Sequence, residues 1–353
     1  MLKRLRVSGF KSLRDVEVVF PPLAVLFGPN AAGKSNLLDA IQTLSRIGTS
    51  PISEALTDSN RGYPIEAFSF PSGGLPELLS KNSAVFTLSA DLKVGQDLYG
   101  YTIVVTIVPS SGSLSVAFET SDAVKCRQEL SGWRTYYLDP RVAMRRATSP
   151  TERQDIGVLG EDIAPFLYFL RSENERRFKA AIRTLKTLIP SIEHLDIDLD
   201  KRRGTLDILI RQNGVDYSSR IVSEGTLRVL ALCAIAVNPW SGSLLAFEEP
   251  ENGVHPRRLE LIAELLVGMA TQGKQVVVTT HSPLFCDAML RLARTQPGEI
   301  GLFHVKQTHQ GTAIRPVDLS GPLFQDTELV KAFAAGTEDG LFESLMLRGM
   351  LDD

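Results

Sequence analysis

Nine residues, Phe27-Gly-Pro-Asn-Ala-Ala-Gly-Lys-Ser35, contain the spacing G-x-x-x-x-G-K-[ST] as Gly28, Gly33, Lys34 and Ser35. A loop of this composition wraps phosphate. Its backbone N–H groups, with the positive end of a following helix, face anionic oxygens. Lys34 brings a cation to the β- and γ-phosphates of a nucleotide, and Ser35 brings a hydroxyl to Mg²⁺. Glycine at 28 and 33 permits backbone conformations and close approaches that a Cβ would obstruct. Pro29, Asn30, Ala31 and Ala32 complete the loop, and Asn36 follows it, so residues 28–36 form the candidate nucleotide-binding set.

Three further groups offer matching chemistry. Glu248 and Glu249 follow the apolar run Leu244-Leu-Ala-Phe247. One acid at such a strand end serves Mg²⁺ and its waters, and the next polarises the attacking water. His281 follows the apolar run Gln275 to Thr280, within Thr279-Thr-His-Ser-Pro283, where an imidazole can reach the γ-phosphate or the water. Ser223, Glu224 and Gly225 stand where a helix begins. That start is either an ordinary serine cap or a second anion site of hydroxyl and N–H donors.

These groups need elements that deliver them to one edge. Leu23 to Phe27 is apolar and short enough for a buried strand, and Leu37, Leu38, Ile41 and Leu44 recur at helical spacing after the loop. Strand, loop, helix is the context that a phosphate loop requires. After Ser223 the chain alternates again: a helix through Val237, a strand at 243–247, a helix over 256–271 and a strand at 275–280. Apolar strands alternating with helices predict a parallel sheet covered on both faces, with ligands at the carboxyl ends of the strands.

Elsewhere the period changes. Leu2 to Val7 and Val16 to Phe20 read as two strands leading into the phosphate-loop strand. The first fourteen residues carry Lys3, Arg4, Arg6, Lys11 and Arg14 and no acid, so this face is either solvated or a phosphate contact. Residues 48–74, rich in Ser, Pro and Gly, read as mostly loop. From 84 to 120, alternation at period two with turns at Gly95-Gln-Asp97 and Pro109-Ser-Ser-Gly112 predicts an antiparallel meander. Residues 133–138 read as a strand, 139–160 as an irregular connector, and 163–188 as helix in two pieces with Ser172 capping the second. Short strands follow at 192–199, 205–211 and 215–218, late strands at 301–305 and 312–317, and closing helices at 329–335 and 341–347.

The composition of the 353 residues, 43% hydrophobic and 22% charged, is that of an ordinary globular protein. A net charge of -3 gives no global sign of nucleic-acid binding, so any such surface is local. The basic excess between Arg141 and Lys186, with Arg141, Arg145 and Arg146, is the candidate DNA contact or else a solvated face. Cys126, Cys233 and Cys286 make no C-x-x-C pair and read as buried free thiols in a reducing compartment. There is no apolar signal core and no long apolar run, so the expectation is a cytoplasmic protein that does not span a membrane.

The motifs together resemble a family. Gly28 to Ser35, the Ser223-Glu-Gly-Thr226 turn, Phe247-Glu-Glu-Pro-Glu-Asn-Gly-Val-His-Pro256 and Thr279-Thr-His-Ser-Pro283 look like the ABC-type heads of the RecF, SMC and OLD group, within the broad AAA-family ATPases. Phe10-Lys-Ser-Leu13 is similar to their opening strand turn. The resemblance spans residue 1 to about 290. It implies an α/β P-loop NTPase head with a mostly parallel core sheet, an antiparallel β-meander and a helical insertion.

By that resemblance, residues 28–36 are the ATP-binding set, Lys34 and Ser35 are Walker A, and Glu248 is the Walker B acid that shares Mg²⁺ with Ser35. Glu249 is the catalytic base, His281 the switch histidine, and Asn252 falls in the loop that crosses the dimer interface. Ser223, Glu224 and Gly225 are the signature, which acts in trans on the ATP of a second head. Three departures stand out. Glu248 replaces the usual Asp, Glu224 sets a carboxylate beside a phosphate site, and the metal-binding glutamine has no clear counterpart, Gln96 lying near a hairpin of the meander.

The resemblance further implies one head over 1–353. It is divided into strands and Walker A (1–48), a β lobe (64–138), a helical insertion (139–190), the signature and Walker B core (191–320) and a helical tail (321–353). About seventy residues between Leu138 and Asp207 leave no room for a coiled coil, and the stretch after His281 shows no D-x-D pair of a nuclease, so the expectation is a bare head. The expected function is ATP hydrolysis in a homodimer acting in DNA repair or anti-phage defence. The alternative is an ATP-locked platform for a partner effector with little turnover. A transporter's nucleotide-binding subunit fits less well, because Leu-Ser-Gly-Gly-Gln is absent.

Overall fold

The computed structural model describes residues 1–60 and 62–319; the expected tail, with helices at 329–335 and 341–347, lies outside the described residues. The chain divides into two compact units. One holds residues 1–133, 242–246 and the described part of 273–353, and the other holds 134–241 and 247–272.

The first unit opens with β1 (Leu2–Phe10), β2 (Leu13–Val19) and β3 (Leu23–Phe27), followed by α1 (Lys34–Ile47), α2 (Ile52–Asn60) and α3 (Gly74–Leu79). Next come β4 (Ala84–Val94), β5 (Asp97–Val108), β6 (Ser113–Thr120) and α4 (Ala123–Ser131). β1 and β2 precede β3 in sequence but pair with the meander instead, in the antiparallel order β2-β1-β4-β5-β6. Leu2, Leu5, Val7 and Phe10 turn to the core while the basic residues face outward. Those basic groups find cross-strand partners. Arg6 faces Glu17 in register at 2.5 Å, and Arg4 Nε donates to Asp91 at 2.7 Å.

One expectation for this unit is corrected. Residues 52–60 are helical, not loop, because Ala55 and Leu56 bury fully and packing overrides a Ser/Pro/Gly-rich composition. α3 occupies a stretch with no expected element, with Leu78 buried. α4 occupies a stretch with no expected element, its start capped by Asp122, which accepts from the Lys125 N–H.

The second unit begins with β7 (Arg134–Tyr136), α5 (Ile163–Glu173) and α6 (Glu175–Leu188). The cap between the helices is Asn174, which accepts from the Arg177 N–H at 3.2 Å; Ser172 instead donates back to the Phe169 carbonyl at the end of α5. A three-stranded antiparallel sheet follows, made of β8 (Ile192–Asp200), β9 (Thr205–Gln212) and β10 (Val215–Ser218), and then α7 (Glu224–Val237). β11 (Leu244–Glu248) crosses from the first unit into the second at Phe247, whose ring stacks on Tyr136 of β7 with centroids 5.4 Å apart. A 3-10 turn at Pro256–Arg258, capped by His255, precedes α8 (Leu259–Thr271), so the expected helix at 256 begins with a tighter turn.

The first unit resumes with β12 (Gln275–Thr280), α9 (Pro283–Thr295), β13 (Ile300–Thr308) and β14 (Gly311–Pro316). β3 is the centre of its core sheet, paired in parallel with β12 on one side and β13 on the other. Every residue of β3 and β12 is buried. Each fully buried Val or Leu contributes about 1.5–3 kcal/mol relative to exposure, and such strands carry no polar face. Gln275 ties this sheet to the antiparallel one: its carbonyl accepts from the Leu2 N–H at 2.6 Å and its amide donates to the Leu2 carbonyl at 2.7 Å. Cys126, Cys233 and Cys286 are buried and in no disulfide, as expected, and burial pushes the Cys233 thiol up.

Candidate functional site

In the first unit the strand register sets the site. Thr280 and His304 both pair with Phe27, so the chains leaving β3 and β12, Gly28 and His281, emerge at one edge of the sheet. α1 starts after Gly33 with no side-chain cap. The N–H groups of its first turn have no carbonyl four residues back and face the loop. Left-handed backbone recurs along the loop, at Ala31 (φ 63°) and Gly33 (φ 101°). Such successive turns gather N–H groups into an anion-binding concavity. Lys34 is 6% exposed, and its ammonium donates to the Gly28 carbonyl at 2.7 Å and the Pro29 carbonyl at 2.8 Å. Pro29, Asn30 and Ala31 are exposed, while Ala32 is buried.

Both glycines are sterically required. A Cβ on Gly28 would lie 2.1 Å from the Val305 carbonyl oxygen, and one on Gly33 would lie 2.0 Å from Thr312 Oγ1. Thr312 buttresses the loop. Its hydroxyl donates to the Ala32 carbonyl at 3.0 Å and sits 2.7 Å from Ser12 Oγ, which accepts from the Asn36 amide at 2.7 Å. Beside it, Lys11 donates to the buried Asp39 at 2.6 Å. The Phe10-Lys-Ser-Leu13 turn was a visible signal for Ser12. Thr312 had none, since it acts across 280 residues of chain from Ala32.

Gly33→Ala is therefore expected to destabilise the fold. The left-handed backbone alone costs a residue with a Cβ about 1–3 kcal/mol, and Thr312 must also move. A lower midpoint in denaturant unfolding is the expected readout; an unchanged midpoint would mean that the loop is not held against β14.

His281 is exposed at the end of β12. The next residue fixes the turn: the Ser282 N–H donates to Thr280 Oγ1 at 2.9 Å, and Ser282 Oγ caps α9 by accepting from the Phe285 N–H.

The second unit assembles the other groups. Glu248 ends β11, half-buried, and Glu249 follows in left-handed backbone at φ 44°. The turn beyond it is closed by the Asn252 N–H on the Glu249 carbonyl and the Val254 N–H on the Glu251 carbonyl, each at 3.0 Å. Ser223 is the exposed N-cap of α7, accepting from the Thr226 N–H at 3.2 Å. Gly225 packs on the same turn as Glu249, since a Cβ there would lie 2.3 Å from the Gly253 carbonyl oxygen.

The carboxylate of Glu224 does not stand alone beside Ser223: Arg141 Nε donates to it at 2.8 Å. Arg145 also works inside the unit. Its guanidinium donates to the carbonyls of Pro140, Ser219, Arg220 and Val222, bracing the chain that leads to Ser223. Arg146 is exposed. Gln96 lies in the exposed turn between β4 and β5.

Among the described residues no group of three or more His, Cys, Asp or Glu is arranged to hold a metal ion. Mg²⁺ takes oxygen ligands, keeps several waters and accepts substrate phosphate as ligand rather than requiring a protein cage; in the first unit the Ser35 hydroxyl is an oxygen of that kind. Among the described residues no helix is long and apolar enough to cross a membrane.

Residues 23–97 and 129–287 match the family described as "AAA domain, putative AbiEii toxin, Type IV TA system". A 41-residue stretch is 49% identical to the OLD nuclease of Thermus scotoductus, covering 12% of this chain and only 8% of that protein's length. The fold is similar to that of the SmcHead bound to the C-winged helix domain of ScpA, with a TM-score of 0.63 at 16% identity over 90% of this chain and 98% of that one. It is also similar to the Smc head domain with an extended coiled coil bound to the C-terminal domain of ScpA from Pyrococcus furiosus, with a TM-score of 0.62 at 13% identity over 94% of this chain and 99% of that one.

Proposed function

The chain belongs to this AAA-domain family, and from that premise we propose that it is an ABC-type ATPase head of the RecF, SMC and OLD kind that hydrolyses ATP as an ATP-gated, head-to-head homodimer. The observation that carries the reading is the loop at 28–36, with two compulsory glycines, an uncapped helix start and a buried lysine ammonium turned onto the loop.

Each residue then has a role. Loop N–H groups and Lys34 hold the triphosphate, since charge-assisted hydrogen bonds are the strong ones. By the family resemblance, Ser35 would hold Mg²⁺ and Glu248 would hold its waters. The metal supplies charge neutralisation for the transferring phosphoryl group. Glu249 takes a proton from the attacking water, and His281 orients the γ-phosphate or that water. Ser223 and Gly225 serve the ATP of the opposite head. The exposure of Ser223 at the start of α7 supports this; its hydroxyl caps the helix by accepting from the Thr226 N–H and lies 2.8 Å from Thr226 Oγ1.

The same site favours a second reading in one respect. Glu224 sets a carboxylate beside the signature, partly neutralised by Arg141. Such a signature favours slow turnover, hence an ATP-locked platform for an effector protein, as the Smc heads are seen bound to parts of ScpA. DNA repair or defence against phage is the proposed setting, in the cytoplasm, with any DNA contact drawing on Arg146 and its basic neighbours.

Steady-state turnover measured against protein concentration tests the reading. If two heads share each ATP, turnover per head rises with concentration. Ser223→Arg should lower kcat by about tenfold or more while ATP affinity stays within about threefold, the pattern of an interaction needed only for the reaction. Turnover independent of concentration and indifferent to Ser223→Arg would place hydrolysis in a single head.

A further inference from the structure

We propose that Arg228 is a positioning residue: from the interior of the signature helix it holds the Glu249 main chain in its left-handed conformation and links the Ser223–Gly225 turn to that glutamate. The inference rests on the assignment of Glu249 as the base.

Five residues beyond Ser223, Arg228 lies inside α7 among Leu227, Val229 and Leu230 and is 9% exposed. A guanidinium in such company is unusual, because charged side chains are rarely buried unless paired. Its Nη1 donates to the Glu249 carbonyl at 3.5 Å, the oxygen that also accepts from the Asn252 N–H. Glu249 has φ 44°, a region that a residue with a Cβ enters only when its surroundings impose it. Two donors on one carbonyl, one from the turn and one from α7, supply that constraint.

α7 grips the same turn at a second point. Gly225 approaches the Gly253 carbonyl closely enough that any side chain at 225 would collide with it. The turn from 249 to 254 is thus held at its start by Arg228 and near its end by Gly225, both on the first two turns of one helix. A helix is stiff over that length. An anion that draws on Ser223 and the N–H groups beside it therefore acts on an element already fixed to the Glu249 backbone.

Two further details separate this role from packing. Glu251, 5% exposed, is the first of the acids whose charge favours the cationic form of Arg228, against burial, which lowers its pKa; Glu249, Glu224 and Asp139 follow. Arg228 Nε has no hydrogen-bond partner among the described residues. An apolar side chain of similar length would fill this space without either a buried charge or an unpartnered donor. The guanidinium offers what such a side chain lacks, a planar set of donors, one of them on the Glu249 carbonyl, and a charge that the nearby acids favour.

The test uses the full chain carrying Arg228→Met or Arg228→Lys. With Met, kcat should fall about 10- to 100-fold while ATP affinity changes less than about threefold, because the base is misplaced but the phosphate loop is untouched. Lys keeps a donor and a charge, so it should recover part of that loss. Amide hydrogen exchange gives a readout independent of turnover. The Asn252 N–H, bonded to the Glu249 carbonyl, should lose protection about tenfold or more in the Met variant, with the interior amides of α7 unchanged. Unchanged protection at Asn252 overturns the proposal. So does an equal loss with Lys and Met, or a fall in ATP affinity as large as the fall in kcat. Absence of ATP turnover in the unmodified protein would instead refute the ATPase reading, and the exchange measurement would still decide the contact.

Discussion

Lys34→Ala is expected to remove measurable ATP binding and, with it, turnover. Lys34 is the only charged residue between Phe27 and Asn36, and its ammonium is buried over the Gly28 and Pro29 carbonyls. Nothing nearby in the loop can replace it opposite the phosphates. Deleting one partner of a buried charged contact costs on the order of 2–5 kcal/mol, so affinity should fall by about 30-fold or more. The substitution leaves the glycines, Thr312 and Ser12 in place, and the unfolding midpoint should move little. Titration with a fluorescent ATP analogue, alongside a denaturant curve, separates loss of the site from loss of the fold. Unchanged affinity in a folded variant would remove the phosphate loop from the account.

Glu249→Gln should have the opposite profile, with ATP bound and hydrolysis stopped. Glutamine is nearly isosteric, keeps the carbonyl oxygen and cannot accept the proton from water. Removing a general base lowers rates by roughly 10²- to 10⁴-fold. The main chain of residue 249 is held by Asn252 and Arg228 whatever its side chain, so the geometry should persist. Single-turnover measurement of phosphate release checks this. Near-normal release would move the base elsewhere, to Glu248 or His281.

Much of this site was legible because it depends on local spacing. The loop at 28–36 needs glycine where a Cβ would strike Val305 or Thr312, and glycine can be read directly. β3, β11 and β12 declare themselves as short, largely apolar runs that end at the candidate site residues. What was not legible depends on partners distant in sequence. β1 alternates like any half-buried strand, and nothing in that pattern says that it pairs with β2 and β4 instead of β3. Ser172 and Asn174 are both good caps. Only the structure shows that Ser172 closes α5 while Asn174 opens α6.

Charge was the least legible property. Arg141 and Arg145 read as a basic surface for phosphate, yet one neutralises Glu224 and the other holds four carbonyls ahead of Ser223. Arg228 carried no signal in the sequence, yet it is buried and donates to the Glu249 carbonyl. A sequence gives the sign of a charge but not the partner that uses it.

The central claim is that two heads close over ATP through the Ser223 turn. Sedimentation of the Glu249→Gln protein, alone, with Mg²⁺ and ATP, and with Mg²⁺ and ADP, addresses it most directly. The account predicts a dimer with ATP, a monomer or a weaker dimer with ADP, and loss of the ATP-dependent dimer when Ser223→Arg is added. Sedimentation that ignores ATP, or a double variant that dimerises as well as Glu249→Gln alone, would contradict it.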